Sequence, residues 1–184
     1  IRDRYRMINQ DYFINLAKEK TGNAIQTVAV AAPHDLATLE SLRNAVDLGF
    51  TKAILVGDEN IITDVAKEGN LDISDMELVH ADNLADAAQK SVDQVTAGKA
   101  SLIMKGLIDT SVILKAVVKK ENNLRTGKTL SYVGILFNEN RDKYYLSSDG
   151  AMLISPDIEQ KKGIIENAVD VAHALGNELP KVAM

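Results

Sequence analysis

Two continuous apolar runs constrain the fold of this chain more than any other feature. They are QTVAVAA at residues 26–32 and KAILVG at residues 52–57, and neither alternates polar with apolar residues. Strands of a parallel sheet have this pattern because helices cover both of their faces. Residues 101–104 form a further run of the buried type, and residues 77–80 form a weaker one. The chain therefore predicts a parallel sheet.

Helical patterns lie between these runs. The first covers residues 11–19, and the others extend to about Leu48, Gly69, Gly98 and Val118. Asp58 is a candidate N-cap and Gly49 a candidate C-terminal stop. The third of the inter-strand helices has a predicted buried stripe of Ala85, Ala88, Val92 and Val95. Strands that alternate with helices predict an α/β fold, a doubly wound, mostly parallel sheet with right-handed crossovers.

The pattern changes after Lys120. Residues 121–128 are polar and turn-rich, so we predict a first domain at residues 1–125 and a second at 126–184. In the second domain, we predict a strand at 130–137, a hairpin partner at 143–146 across residues 138–142, and a helix at 159–175 with Pro156 near its first turn. Residues 181–184 read as the start of a buried strand, which suggests a piece of a longer protein.

Composition excludes several classes of function. The net charge is −5, which argues against nucleic acid as a partner because such binding depends on basic contacts to phosphate. No apolar run reaches the length of about 18 residues that a membrane span needs, and the N-terminus lacks the apolar core of a signal peptide. Cys is absent, so disulfides and thiolate chemistry are excluded. These features indicate a cytoplasmic protein.

The best candidate for a binding site is the turn that follows residues 101–104. Lys105 and Gly106 end a strand, and Thr110 and Ser111 begin a helix. A strand, a tight glycine turn and a helix aim backbone N–H groups at an anion. The alternative is a purely structural role, in which Gly106 only permits the turn and Thr110 only caps the helix. The residues alone do not decide between the two readings.

Other candidates are weaker. Gly127, Lys128 and Thr129 resemble the end of a nucleotide P-loop, but the strand follows them instead of preceding them. Arg125 has the fork that suits a phosphate, although a single loop arginine is usually only solvated. Asp149 precedes Gly150, where a turn residue is the simpler reading.

The histidines have no spacing typical of a metal site. His34 and His80 lie at predicted strand ends, where loop capping is the simpler role, and His173 lies in the last helix.

Several longer motifs together resemble one family. They are AVAAPHD, DLGF, AILVGD, LIMKGLIDTSVILKAVV, RTGKTLSYV and SSDGAMLISPDIEQKKGIIENAV. From about Met7 onward they resemble the phosphate acetyl/butyryltransferase family, on the phosphate butyryltransferase side. The resemblance implies a three-layer, two-domain α/β fold of the isocitrate/isopropylmalate dehydrogenase-like kind, of which residues 126–184 begin the second domain. It also implies a homodimer that converts acyl-CoA and phosphate to acyl phosphate and CoA, with no metal or other cofactor.

The resemblance further implies which residues hold the substrate. The expected phosphate and substrate contacts are Lys105, Gly106, Thr110, Ser111, Arg125, Ser131 and Asp149. The catalytic carboxylate, serine and arginine of the family are expected beyond Met184. Tyr132 and Leu153 depart from the family's pattern of His and Asn at those positions. The alternatives are therefore a catalytically weak relative that binds CoA or acyl phosphate, and another acyltransferase or dehydrogenase-like enzyme on the same fold.

Overall fold

The computed structural model describes residues 10–22, 24–138 and 143–184. The chain divides into two compact units. The described residues of Asn23–Arg125 form the sheet unit, and those of Ile1–Gly22 and Thr126–Met184 form the helix–hairpin unit. Helix α1 (Gln10–Thr21) thus belongs to the unit that contains the later residues, whereas the sequence places it in the first domain. The predicted domain division itself stays a prediction.

The sheet unit is built on a four-stranded sheet in the order β3–β2–β1–β4, in which every neighbouring pair is parallel. Its strands are β1 (Gln26–Ala31), β2 (Thr51–Gly57), β3 (Glu77–His80) and β4 (Leu102–Lys105). Its helices are α2 (Leu36–Asp47), α3 (Glu59–Glu68), α4 (Leu84–Thr96) and α5 (Thr110–Val117). The predicted doubly wound α/β fold is confirmed.

Alternate residues of the two central strands point to opposite faces of the sheet. Val30 and Leu55 pack with α2 and α3 on one face, and Ala31 and Val56 pack with α4 and α5 on the other. All four side chains are fully buried. The sheet therefore lies between two helical layers, and the lack of polar alternation in the sequence follows from cover on both sides.

The edge strands differ from the prediction. Strand β4 is not buried, because it pairs only with β1 in the described sheet and leaves Leu102 54% exposed.

The predicted buried stripe of α4 is partly wrong. Ala85 is exposed, whereas Ala87 and Ser91 are buried beside the correctly predicted Ala88 and Val92. Val95 packs at the margin of the cluster. The many alanines of this helix, all small, define the direction of its apolar face poorly.

Two predicted helix ends are confirmed. Asp58 accepts hydrogen bonds from the N–H groups of Asn60 and Ile61 at the start of α3. Gly49 adopts a positive φ of 72° directly after Leu48, the C-cap of α2. Such a conformation is costly for residues that carry a Cβ, which explains the glycine.

In the helix–hairpin unit, β5 (Gly134–Asn138) and β6 (Lys143–Ser147) pair antiparallel, and α6 (Ile158–Ala174) follows. Four of the residues predicted to connect the strands, 139–142, lie outside the described residues. The first strand begins at Gly134 rather than at residue 130. Phe13 of α1 packs against Phe137 and Tyr144 of the hairpin, with ring centroids 6.2 and 5.8 Å apart.

The start of α6 agrees with the prediction to within one residue. Asp157 is the N-cap and forms a reciprocal capping box with Gln160. Pro156 lies directly before this cap, near the first turn as predicted. The capping box satisfies backbone N–H groups at the helix start, which fixes the first residue of the helix more firmly than the proline does.

Candidate functional site

The switch point of the sheet lies between β1 and β4, where the chain changes the face on which its helices pack. Ligands of open α/β sheets bind outside the carboxyl ends of the strands at such a point. Here the loops meet through their backbones, because the Gly106 N–H donates to Ala31 O and the Leu107 N–H donates to Ala32 O, each at 2.8 Å. A Cβ on Gly106 would approach the Ala32 carbonyl oxygen to 2.3 Å. Only glycine fits this contact.

The first three residues of the turn, 106–108, offer no N–H group to an anion. The N–H of Ile108 donates to Gly106 O at 2.9 Å, so all three N–H groups of residues 106–108 are used within the protein. The backbone donors expected for an anion are therefore left to the start of the following helix, where anion binding stays a prediction. The close packing of Gly106 on Ala32 gives the reason, since it places the turn against neighbouring carbonyls.

The helix that follows does retain donors. Thr110 and Ser111 are exposed at the start of α5, and in the described part of the chain neither hydroxyl has a hydrogen-bond partner. The N-cap is Asp109, which makes no capping bond through its side chain. Thr110 is thus not the N-cap, contrary to the purely structural alternative. The positive end of the helix macrodipole adds to these hydroxyl donors.

Two charges flank this helix start. The Lys105 Nζ donates to the carbonyls of Ile108 at 3.1 Å and Gly106 at 3.4 Å, which leaves one of its three protons for a ligand. Asp109, the N-cap of the helix, is exposed and carries the opposite charge. This turn can therefore hold an anion, but the carboxylate opposes it.

Arg125 lies elsewhere in the sheet unit. Its Nε donates to the carbonyl of Val118, the C-cap of α5, at 2.6 Å. The eight residues of α5 rise about 12 Å along the helix axis. The structure therefore does not bring this contact of Arg125 together with Thr110, and its role in phosphate binding stays a prediction.

His34 joins two loops at the same edge of the sheet. Its Nε2 accepts a hydrogen bond from the Asp58 N–H at 3.1 Å, and its ring lies on Gly57, where an added Cβ would approach Nε2 to 2.5 Å. Burial lowers the pKa of His34, although the carboxylates of Asp58 and Asp35 oppose the shift. The predicted loop-capping role is what this geometry supports.

In the helix–hairpin unit, residues 127–131 run along α6. Thr129 packs on Gly163, where an added Cβ would approach the Thr129 Oγ1 to 2.3 Å. Lys128 pairs with Asp170 at 3.4 Å. Gly127, Lys128 and Thr129 border a cavity of about 370 Å³ at the start of α6. No strand leads into them, so the P-loop reading has no support from the geometry.

Ser131 and Asp149 lie close together in this unit. The Nδ2 of Asn167 donates to Ser131 Oγ and to Thr129 O, both at 2.8 Å. The Asp149 carboxylate accepts a hydrogen bond from the N–H of Tyr132, the residue that follows Ser131, at 3.1 Å.

Asp149 also anchors its own loop. It accepts from the N–H groups of Ala151, Met152 and Leu153 at 3.5, 3.2 and 3.2 Å. With the contact to Tyr132, four backbone groups share one carboxylate. This arrangement favours the turn-residue reading, and a substrate contact of Asp149 stays a prediction.

Sequence reasoning missed two residues that these sites depend on. Asn167 lies in α6 between the apolar residues Ile164 and Ala168, and a polar amide at such a position was the available signal. Asp109 was overlooked because the adjacent hydroxyls suggested the cap.

Neither a metal site nor a membrane span is found in the part of the chain that the structure describes. No group of three or more His, Asp and Glu side chains comes close enough to hold a metal ion there. Among the described helices, none is long and apolar enough to cross a membrane.

Known proteins resemble this chain in sequence and fold. The family model described as phosphate acetyl/butaryl transferase matches residues 80–184. Phosphate butyryltransferase of Clostridium acetobutylicum is 42% identical over 159 residues, which cover 86% of this chain and 53% of that protein. The chain thus spans about half the length of the curated relatives it matches.

Solved structures show the same fold. A branched-chain phosphotransacylase from Enterococcus faecalis matches 81% of this chain and 51% of its own, with a TM-score of 0.60 at 24% identity. A phosphotransacetylase from Streptococcus pyogenes matches 92% of this chain and 60% of its own, with a TM-score of 0.76 at 16% identity. The sequence comparisons establish the family, and the chain belongs to the phosphate acetyl/butaryl transferases.

Proposed function

We propose that the protein is a phosphate acyltransferase that converts a short- or branched-chain acyl-CoA and phosphate to acyl phosphate and CoA. The observation that carries this proposal is the 42% identity to a phosphate butyryltransferase over 86% of the chain. A phosphate oxygen attacks the thioester carbonyl, the C–S bond breaks, and CoA leaves as a thiolate that takes up a proton. In reverse, the thiolate is the nucleophile.

The start of α5 supports a role in binding the phosphate. Lys105 supplies a cation, and Thr110 and Ser111 supply exposed hydroxyls at the helix N-terminus. Charge-assisted hydrogen bonds of this kind bind phosphate oxygens strongly. Asp109 would be repelled by the same ligand, so its carboxylate limits the affinity.

Several finer features belong to the same proposal. We infer that the protein is a cytoplasmic homodimer that needs no metal or nucleotide, with CoA and phosphate as its small-molecule partners. The family resemblance supports this description. Sedimentation at several protein concentrations tests the dimer, and assays with a chelator test the independence from metal.

The activity is tested with the full-length protein by the release of free CoA from butyryl-CoA and from acetyl-CoA, with and without phosphate. We expect release only when phosphate is present, and the ratio of the two rates gives the acyl preference. An absence of phosphate-dependent release would contradict the enzyme proposal. Binding of CoA without release would support the catalytically weak relative instead.

The site at α5 is tested by the substitution Lys105→Ala, with Lys115→Ala as the control. Both lysines flank or belong to α5, but Lys115 lies in its last turn. We expect the phosphate KM to rise about tenfold in Lys105→Ala and to stay unchanged in the control, since a hydrogen bond to a charged group is lost only in the first. Asp109→Asn should lower the phosphate KM. Unchanged values in both Lys105→Ala and Asp109→Asn would remove phosphate from this site.

A further inference from the structure

One ring nitrogen of His34 connects two loops at the carboxyl edge of the sheet. The Nε2 atom accepts a hydrogen bond from the Asp58 N–H at 3.1 Å. A backbone N–H can only donate, so Nε2 carries no proton, and the neutral ring has its single proton on Nδ1. A second proton, on Nε2, would place two donors opposite each other. The hydrogen bond to Asp58 therefore exists only while His34 is neutral.

The place of the ring is set by close packing as well as by this bond. The ring lies on Gly57, where an added Cβ would approach Nε2 to 2.5 Å and Cδ2 to 3.3 Å. The same added Cβ would lie 3.3 Å from Cδ1 of Ile62 in α3. In this place Nε2 faces the Asp58 N–H, so a protonated ring has to move away from it.

The charged groups around His34 favour the two states differently. Asp58 and Asp35 are the N-caps of α3 and α2, and both carboxylates attract an imidazolium. Burial is the larger influence and lowers the pKa of His34 below its ordinary value. His80, at the end of the neighbouring strand β3, is paired with Asp82 at 3.3 Å. The buried place thus favours the neutral ring, and the cap carboxylates attract the ring once it is protonated.

The segment that His34 holds, residues 32–34, has a strained backbone. Ala32 is fully buried and has a φ of 52°, which is costly for a residue with a Cβ. Such a conformation persists only where neighbouring contacts hold it. The Ala32 carbonyl accepts from the N–H groups of Leu107 and His34, each at 2.8 Å, and the His34 side chain holds the other end of the segment. Loss of the bond to Asp58 removes one of these restraints.

We propose that His34 is a pH-dependent switch that connects residues 32–34 to the start of α3 when it is neutral and releases them when it is protonated. The released state binds one more proton than the connected state, so acid favours release. The switch acts at the carboxyl edge of the sheet, where ligands of open α/β folds bind. It requires no ligand and does not depend on the proposed acyltransferase function.

NMR of the isotope-labelled, full-length protein tests the connected state directly. The nitrogen signals of the His34 ring show which nitrogen carries the proton. We expect Nδ1 to be protonated and Nε2 to be unprotonated at pH 7.5 to 8, about one unit above the ordinary pKa of histidine. A proton on Nε2 at this pH would overturn the proposal, because Nε2 could not then accept from Asp58.

Hydrogen exchange of the Asp58 amide tests the release. Its protection factor, the ratio of the exchange rate in an unstructured chain to the measured rate, should fall by up to about tenfold per pH unit below 6.5. At each pH the factor should be smaller than those of the amides in the core of β2, because the release is local. Equal factors would mean that only global unfolding exposes this amide, and they would overturn the proposal.

Two matched variants assign the effect to His34. His34→Gln keeps an acceptor for the Asp58 N–H but cannot be protonated, so the protection factor should no longer depend on pH. His80→Gln removes the histidine of the neighbouring strand and should leave the pH dependence of the wild type unchanged. The same fall with pH in His34→Gln, or its loss in His80→Gln, would overturn the proposal. The ring signals and the exchange of the wild type decide the question even if a variant does not fold.

Discussion

Different kinds of contact stabilise the interior of each of the two units. In the sheet unit, apolar side chains from both faces of the sheet form two buried clusters. In the helix–hairpin unit, α6 buries only Ile164 and Ala172 within the described residues, and polar side chains bind backbone groups instead. Asn167 and Asp149 are the main examples. Apolar burial is periodic and distributed, whereas the polar contacts depend on single residues.

This difference is sharpest for matched leucine substitutions. Leu55→Ala in β2 removes a side chain with no exposed surface and should cost about 2–5 kcal/mol of the free energy of unfolding. Leu136→Ala in β5 removes one that is 59% exposed and should cost less than about 1 kcal/mol. Urea unfolding followed by circular dichroism measures both. Equal losses would show that the helix–hairpin unit also depends on apolar burial at this position.

A glycine pair gives the next largest effect. Gly106→Ala places a Cβ 2.3 Å from Ala32 O and 2.9 Å from the Cα of Pro33, and neither backbone atom can move aside easily. We expect a loss of about 1–3 kcal/mol in the free energy of unfolding. Gly150→Ala is the control in the other unit, since an added Cβ there meets nothing within 4 Å. If Gly106→Ala left the free energy of unfolding unchanged, the two loops would be able to move apart without loss of stability.

A polar substitution should act locally. Asp149→Ala removes the acceptor of several backbone N–H groups, so we expect the amide protons of Met152 and Leu153 to exchange about tenfold faster. The exchange in β1 should not change. Hydrogen exchange followed by NMR makes the comparison, with Asp170→Asn as a control that removes an exposed carboxylate of the same unit. Loss of protection throughout the sheet unit would contradict a local role.

The smallest expected effect is the pH dependence contributed by His34. Burial lowers its pKa in the folded state below the ordinary value of 6.5. The unfolded chain therefore binds the proton more readily, and the contribution to stability, present above pH 6.5, is lost as the pH falls through the lowered pKa. His34→Gln keeps an acceptor for the Asp58 N–H but cannot be protonated. Between pH 7 and pH 5 its stability should fall less than that of the wild type, and parallel curves would exclude this role.

Sequence patterns predict the sheet unit well because its determinants repeat. The apolar runs of β1 and β2 and the Asp58 cap each identify themselves locally. The edge position of β4 was not predictable, since its sequence is as apolar as that of a central strand and only the pairing decides. The donors of the glycine turn were overestimated for a similar reason. Their partners Ala31 and Ala32 lie more than 70 residues earlier in the chain.

The contact between Gly106 and Ala32 also has a consequence for divergence within a family. Two loops that touch through backbone atoms have a separation set by backbone hydrogen-bond lengths and van der Waals radii and not by side-chain volume. Side chains around the carboxyl ends of the strands can then be exchanged while the backbone that carries them keeps its dimensions. Gly106 fixes the separation of the two loop backbones and leaves the surrounding side chains free to vary.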